Sequence, residues 1–281
     1  MDLVRFEGFS FRYKGNEVYA LDNINLRIEE NKFILLCGET GSGKTTLIRC
    51  MNGLIPQFYS GFYKGKVYVH GMDTTNTSIA NLSTEVGIVF QNPENQLIAM
   101  NVEHEIAFGL ENLGVPPKEI SKRIQESASL TEIEHILDKA PFELSGGEQQ
   151  RVAIASILVL KPKFLILDEP TALLDPYMAK KIITLLKEIQ LDRNLSIMIS
   201  EHRLDLVIPF AEEIVLMKDG RIIEHDSRDN VLNGLKFQNL KLNKPVLYTI
   251  FNELRKRNLI KGNIPASIPA ALDLIKKFQH E

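Results

Sequence analysis

The sequence predicts an α/β fold: a largely parallel central sheet, an antiparallel β flank at the start and a small helical appendage at the end. Three observations carry this. Apolar runs bare of alternation recur, as FILLC (33–37), VGIVF (86–90), FLILD (164–168), LSIMIS (195–200) and EIVLM (213–217). Such runs suit strands buried on both faces. Helical patterns lie between them, which is the alternation of a parallel sheet. Further β-type runs, VRFEGFSFRY, INLRI and KVYVH, cluster before residue 71 and supply the antiparallel flank.

Composition narrows the class. The chain has 281 residues, enough for one large domain or one domain with an appendage. Hydrophobic residues make up 44% and charged residues 25%, ordinary for a folded protein, and the net charge of -3 gives no basic excess for nucleic acid. The start, MDLVRFEGFS, has no apolar core of a signal peptide, and no window reaches a membrane span. Cys37 and Cys50 fall in a strand and a helix and suit a reducing cytosol, not a disulfide scaffold. The expected division is a domain over 1–230, with a helical subdomain at about 92–160, and an appendage over 231–281.

Taken in order, the first chemistry follows the strand 33–37. Gly38, Glu39, Thr40, Gly41, Ser42, Gly43, Lys44 and Thr45 fit G-x-x-x-x-G-K-[ST], with a helix expected over 45–52. Glycines let successive N–H groups converge, and the helix start adds the positive end of its dipole. Together they cradle phosphate, so the core is expected to be of the P-loop NTPase type. Lys44 would reach the β- and γ-phosphates of ATP, the Thr45 hydroxyl would ligate Mg²⁺, and Thr46 extends the candidate set. The bland reading, a glycine turn that binds nothing, does not account for the strand before it and the helix after.

Gln91 ends the strand 86–90, at the edge of an α/β sheet where ligands gather. Alone it reads as a loop amide. Helices are expected over 102–113, with Val102, Ile106, Leu110 and Leu113 on one face and Asn101 as cap, and over 117–129. Leu97, Ile98 and Met100 precede that cap without explanation. LSGGEQQR (144–151) opens a helix expected over 146–160. Ser145 can cap it, and Gly146 and Gly147 leave its first N–H groups bare. This second anion-binding helix end has no phosphate of its own in the chain, so another subunit's nucleotide is its simplest ligand. An ordinary capped helix is the competing reading.

FLILDEP places Asp168 and Glu169 at a strand's end, where paired carboxylates are costly without a cation or a proton-transfer task. Asp168 would hold Mg²⁺, and Glu169 would deprotonate the attacking water. Asp175 can cap the helix expected over 176–191. His202, after the strand 195–200, could touch the γ-phosphate, though a lone histidine is usually structural. A helix is expected over 203–209, and Asp219-Gly220 signals a hairpin into RIIEH. Pro245, Pro265 and Pro269 punctuate two amphipathic segments, VLYTIFNELRKRNLI and IPAALDLIKKFQ.

Over roughly residues 3–228 the sequence resembles the ATPase subunit of ABC transporters. The resemblance rests on the phosphate loop, Gln91, LSGGEQ, LILDE, TALLDP and His202, in that order and spacing. It implies ATP and Mg²⁺ as ligands, Gln91 among the metal and catalytic groups, Ser145, Gly146, Gly147 and Glu148 acting in trans, and Tyr13 stacking on adenine. Glu148 stands where the signature often has glutamine, and SEH where Thr-His is usual. Neither departure removes a catalytic group. The run QNPENQLIAMNVEHEIAFGLENLG, the short flank FRYKGNEVYALDNINL and the tail are similar to the energy-coupling-factor type, which takes up cobalt and vitamins. That resemblance implies a second ATPase subunit, identical or different, a transmembrane scaffold, a membrane substrate-binding subunit and a place on the cytoplasmic face of the membrane. It leaves a role in dimerisation open to the tail.

Among rivals, DNA-repair members insert coiled coils that are missing here. Ribosome-acting members carry two such domains per chain. ATPases of binding-protein-dependent importers differ in the segment after Gln91 and in the tail.

Overall fold

A computed structural model of the chain describes residues 2–260 and 262–278. Ten strands follow one another among them: β1 (Asp2–Tyr13), β2 (Leu21–Glu29), β3 (Phe33–Gly38), β4 (Gly61–Val69), β5 (Met72–Asp73), β6 (Val86–Val89), β7 (Phe164–Asp168), β8 (Ser196–Ser200), β9 (Glu213–Lys218) and β10 (Arg221–Ser227). The central sheet has the order β10-β9-β3-β8-β7-β6, and the flank the order β2-β1-β4-β5. From β9 to β6 every pairing is parallel. β10 folds back antiparallel through Asp219 and Gly220, both at positive φ as the hairpin signal requires.

The bare apolar runs are explained by burial on both faces. Phe33, Leu35, Leu165, Leu167, Ile197, Ile199, Ile214 and Leu216 point into one apolar cluster. Their neighbours Ile34, Leu36, Phe164, Ile166, Met198, Val215 and Met217 point into the other. Burying each such side chain stabilises the fold by roughly 1.5–3 kcal/mol. The first cluster packs under the helices Val102–Asn112, Pro117–Leu130, Gly146–Leu158 and Pro176–Arg193. The second packs under the antiparallel flank and the helix Lys44–Met51. The helix Lys44–Met51 therefore sits between the two sheets.

Caps set the helix starts as expected. Asn101 accepts from the His104 N–H, and Asp175 from those of Tyr177 and Met178. Three expectations change. β4 begins at Gly61, not residue 66, because a register shift between Glu7 and Ser10 lets β1 pair past Gly65. The helix expected over 203–209 is one turn, Leu204–Val207: Ile208 keeps helical dihedrals, but Pro209 has no N–H to continue the hydrogen-bond ladder. Leu113 is not on the buried face of the 102–112 helix; it lies past the last turn and is 42% exposed, and Ala107 is buried in its place.

The tail forms the helices Val246–Lys256 and Ile268–Phe278, with Gln279 of the expected second segment outside the described residues. The boundary expected at 230 falls inside a short helix, Arg228–Asn233. Phe237, Tyr248, Phe251 and Ile264 pack into the same apolar cluster as the helical layer. Both cysteines are free and buried, and burial pushes the Cys37 thiol up to about 12. Among the described residues no helix is long and apolar enough to cross a membrane.

Candidate active site

The loop after β3 is shaped by close approach. A Cβ on Gly38 would lie 2.4 Å from the Met217 carbonyl of β9, so only glycine lets the two backbones touch. Gly43 stands at φ 102°, and a Cβ there would meet the Ala20 carbonyl at 2.6 Å. It caps the 44–51 helix without any side-chain hydrogen bond, so the first N–H groups face the loop's hollow bare. Ser42 Oγ is buried there without a partner. The Lys44 ammonium donates to the carbonyls of Gly38 at 2.9 Å and Glu39 at 3.2 Å, folded over the loop. Burial pushes the Lys44 pKa down, while Glu169 and Asp168 pull it back up. A bare helix start, an orphaned hydroxyl and a buried ammonium fit a phosphate group.

Around Asp168 two hydroxyls converge: Thr45 Oγ1 donates to Oδ2 and Ser200 Oγ to Oδ1, each at 2.7 Å. This hard oxygen set fits Mg²⁺, which usually takes one or two protein carboxylates and fills the rest with water and substrate phosphates. Among the described residues no cluster of three His, Cys, Asp or Glu could hold a metal unaided.

Three expected catalytic residues meet at one point. Glu169 accepts from Gln91 Nε2 at 2.8 Å through Oε2, and its Oε1 lies 3.0 Å from His202 Nε2. They come from the carboxyl ends of β6, β7 and β8, the edge where the sheet delivers ligand-binding groups. Glu169 holds φ 52°, fixed by its N–H donating to the Ser200 carbonyl at 2.9 Å.

The remaining predicted residues are distributed around this centre. The Tyr13 hydroxyl sits 3.2 Å from Thr46 Oγ1 and accepts from Arg49 Nη1, while its ring meets Phe11 and Tyr59 edge-on. Tyr13 is thus beside the helix that follows the phosphate loop. Glu39 turns its carboxylate outward to accept from the Lys241 N–H of the tail at 3.1 Å, and Thr40 is exposed at the loop's tip beside Gly41. Ser145 and Glu148 form a capping box: each side chain takes the other's N–H. The Ser145 hydroxyl, donating to Glu148 Oε2 at 2.7 Å, and then the Ser145 N–H hold Glu148's carboxyl below its usual range. Gly146 is exposed, and a Cβ on Gly147 would meet Met178 Cε at 2.5 Å. Among the described residues no hydrogen bond joins 145–148 to the phosphate loop of the same chain.

Sequence reasoning missed Ser200, Thr171, Glu201 and Arg203. A faint signal existed: Ser200 and Glu201 are polar residues closing an otherwise apolar run, and both are buried.

Comparison with known proteins agrees with this geometry. The family model described as "ABC transporter" matches residues 21–172. A Pyrococcus abyssi protein whose name places it among ABC transporter ATP-binding proteins is 38% identical over 93% of this chain and 94% of its own length. The solved structure of cbiO1 from Clostridium perfringens, part of the ABC transporter complex cbiONQ, is 33% identical with a TM-score of 0.75, over 89% of this chain and 99% of that one. A dimeric ATP-binding cassette in a post-hydrolysis state, bound to ADP and Pi, is 29% identical with a TM-score of 0.69, over 80% of this chain and 98% of that one.

Proposed function

The chain belongs to the ABC transporter ATP-binding family and is an ATPase, and on that premise we propose that it powers a membrane importer of the energy-coupling-factor type. The observation that carries the catalytic reading is the convergence of Gln91, Glu169 and His202 on one carboxylate at the carboxyl edge of the sheet. Lys44 leaves the Gly38 and Glu39 carbonyls to meet the β- and γ-phosphates. Tyr13 supports the adenine, and Thr46 with the loop's N–H groups holds the phosphates. Thr45, Asp168 and Gln91 would hold Mg²⁺, which neutralises charge on the phosphate oxygens when bound. Glu169 orients a water and takes its proton as the water oxygen bonds to the γ-phosphorus. The bond to the bridging oxygen then breaks, and ADP leaves. General-base help of this kind contributes roughly 10²–10⁴-fold. His202 holds Glu169 in place and donates toward the γ-phosphate.

Among the described residues the Ser145–Glu148 helix start makes no hydrogen bond to the phosphate loop of its own chain, which supports a second subunit supplying it in trans. The likeness to cbiO1, part of a cbiONQ complex, and the segment after Gln91 support a transmembrane scaffold and a membrane substrate-binding subunit as partners. The ATPase then works on the cytoplasmic face of the membrane, and the cargo is a vitamin, metal ion or similar micronutrient. The division into an ATPase domain over 1–230 and a tail over 231–281 belongs to this reading.

Substituting Glu169→Gln tests the catalytic assignment. ATP binding should persist while turnover falls by about 10²-fold or more. Wild-type turnover in that variant would remove Glu169 from the mechanism.

A further inference from the structure

Three consecutive side chains after β8 reach back to one short loop. His202 meets Glu169, as described. On one side of it, Glu201 Oε1 accepts from the Thr171 hydroxyl, and Oε2 accepts from the His202 N–H at 3.2 Å. On the other side, Arg203 Nη2 donates to the Leu174 carbonyl at 2.9 Å. The loop itself is two overlapping tight turns: the Ala172 N–H donates to the Glu169 carbonyl, and the Leu174 N–H to the Thr171 carbonyl. Glu201 grips Thr171, one of the two residues the turns share, and Arg203 grips the end of the second.

Thr171 is fully buried and Glu201 is 3% exposed. A buried carboxyl is costly unless its oxygens are bonded, and a valine or leucine would fill the space at lower cost. Burial pushes the Glu201 carboxyl above its usual range, and the nearby Glu169 pushes it further, against the pull of the Thr171 and His202 hydrogen bonds. A polar pair kept under the catalytic carboxylate at such cost fits a task at the site better than a task in the core.

We propose that Glu201 and Arg203 are positioning residues that clamp the loop 171–174 to His202 and so hold Glu169 in line with the water. The clamp rests on the catalytic reading of Glu169 and His202. It also ties the exposed end of the loop to the histidine. Leu173 is 68% exposed at the loop's tip, so pressure on that leucine is passed through Thr171 and Leu174 to both sides of His202.

The test uses the full chain, with ATP hydrolysis and thermal unfolding measured for Glu201→Ala, Thr171→Val and Glu201→Gln, beside Glu169→Gln. Glu201→Ala and Thr171→Val should each lower kcat by about tenfold or more while KM for ATP moves less than about threefold. Glu201→Gln keeps an oxygen for the Thr171 hydroxyl and should retain most of the turnover. The double variant Glu201→Ala with Thr171→Val should be no worse than the poorer single one, because both remove the same bond. If Glu201→Ala does not fold, Thr171→Val and Glu201→Gln decide. The clamp is refuted by folded variants with wild-type kcat, by a loss confined to KM, or by Glu201→Gln as impaired as Glu201→Ala. Loss of turnover in Glu169→Gln together with any of these refutes the clamp alone. Full turnover in Glu169→Gln refutes the catalytic reading and the clamp with it.

Discussion

Glu169 occupies the left-handed backbone region, which costs a non-glycine residue of order 1–3 kcal/mol and persists only where surroundings enforce it. Here the enforcing groups are the Ser200 carbonyl on its N–H and two donors on its carboxylate. In the sequence Glu169 stood out as one of two carboxylates closing an apolar run, whereas Gln91 and His202 came forward only through the resemblance of the whole motif set. The bond from the Glu169 N–H to the Ser200 carbonyl was not legible, because it depends on the lateral register of β7 and β8, which pairs Asp168 with Ser200. Glu201 also makes a prediction about pH. Its folded pKa is raised by burial, so the fold disfavours the ionised form. The stability this group contributes is complete below the unfolded carboxyl pKa and is lost as pH rises through the folded one. Glutamine does not titrate. The melting temperature of Glu201→Gln relative to wild type should therefore rise as pH increases above the ordinary glutamate range, and a difference that stays flat would show that Glu201 pays no ionisation penalty in the fold.

At the scale of elements, the segment before the 102–112 helix separates three residues that look alike in sequence. Leu97 is buried in the helical-layer core, whereas Ile98 is 70% and Met100 89% exposed. The cause is Glu105, buried in the helix, whose Oε2 accepts from the N–H groups of Ile98 and Ala99 at 2.7 Å each. That pins the backbone at 98–99 with Leu97 inward, a phase no helical periodicity could reveal. Phe142, 87% exposed, lines the same groove as Ile98. That groove, where Glu94 and Gln149 stand beside the apolar residues, and the exposed Met100 that follows Ile98 and Ala99 in sequence suit an adaptable contact, and the proposed scaffold would dock there. Met100→Asp should leave thermal stability and ATP hydrolysis near wild type and abolish co-purification with the membrane scaffold. Leu97→Asp should instead cost several kcal/mol by burying a charge, and unfold the subunit. Retained co-purification in Met100→Asp would move the coupling surface elsewhere.

The whole molecule is two apolar clusters divided by one parallel sheet, and this much followed from unalternating strand runs. The sequence did not reveal that the tail packs into the helical-layer cluster through Phe237, Tyr248 and Phe251, since amphipathic helices do not name the face they cover. Nor could it show that, among the described residues, no hydrogen bond joins the Ser145 helix start to the phosphate loop, and the proposed two-subunit site has its own test. A Lys44→Ala subunit mixed with a Ser145→Arg subunit should regain hydrolysis that neither has alone. In a homodimeric enzyme every mixed dimer carries both lesions in one site and leaves the other intact. For two different chains, the lesions are split between them. A mixture that stays inactive while mixed dimers demonstrably form would place the complete site within one chain.

The order of the central sheet also bears on how the chain is made. β3, which launches the phosphate loop, lies between β8 and β9, strands that begin at Ser196 and Glu213. A ribosome delivers residues 33–45 long before either neighbour exists, and pairings across such long separations close late. The Met217 carbonyl that presses on Gly38 belongs to the last of them. A nascent or prematurely ended chain can therefore display the whole GETGSGKT sequence and still possess no cradle. The loop's full set of backbone neighbours is present only once residue 217 has been made.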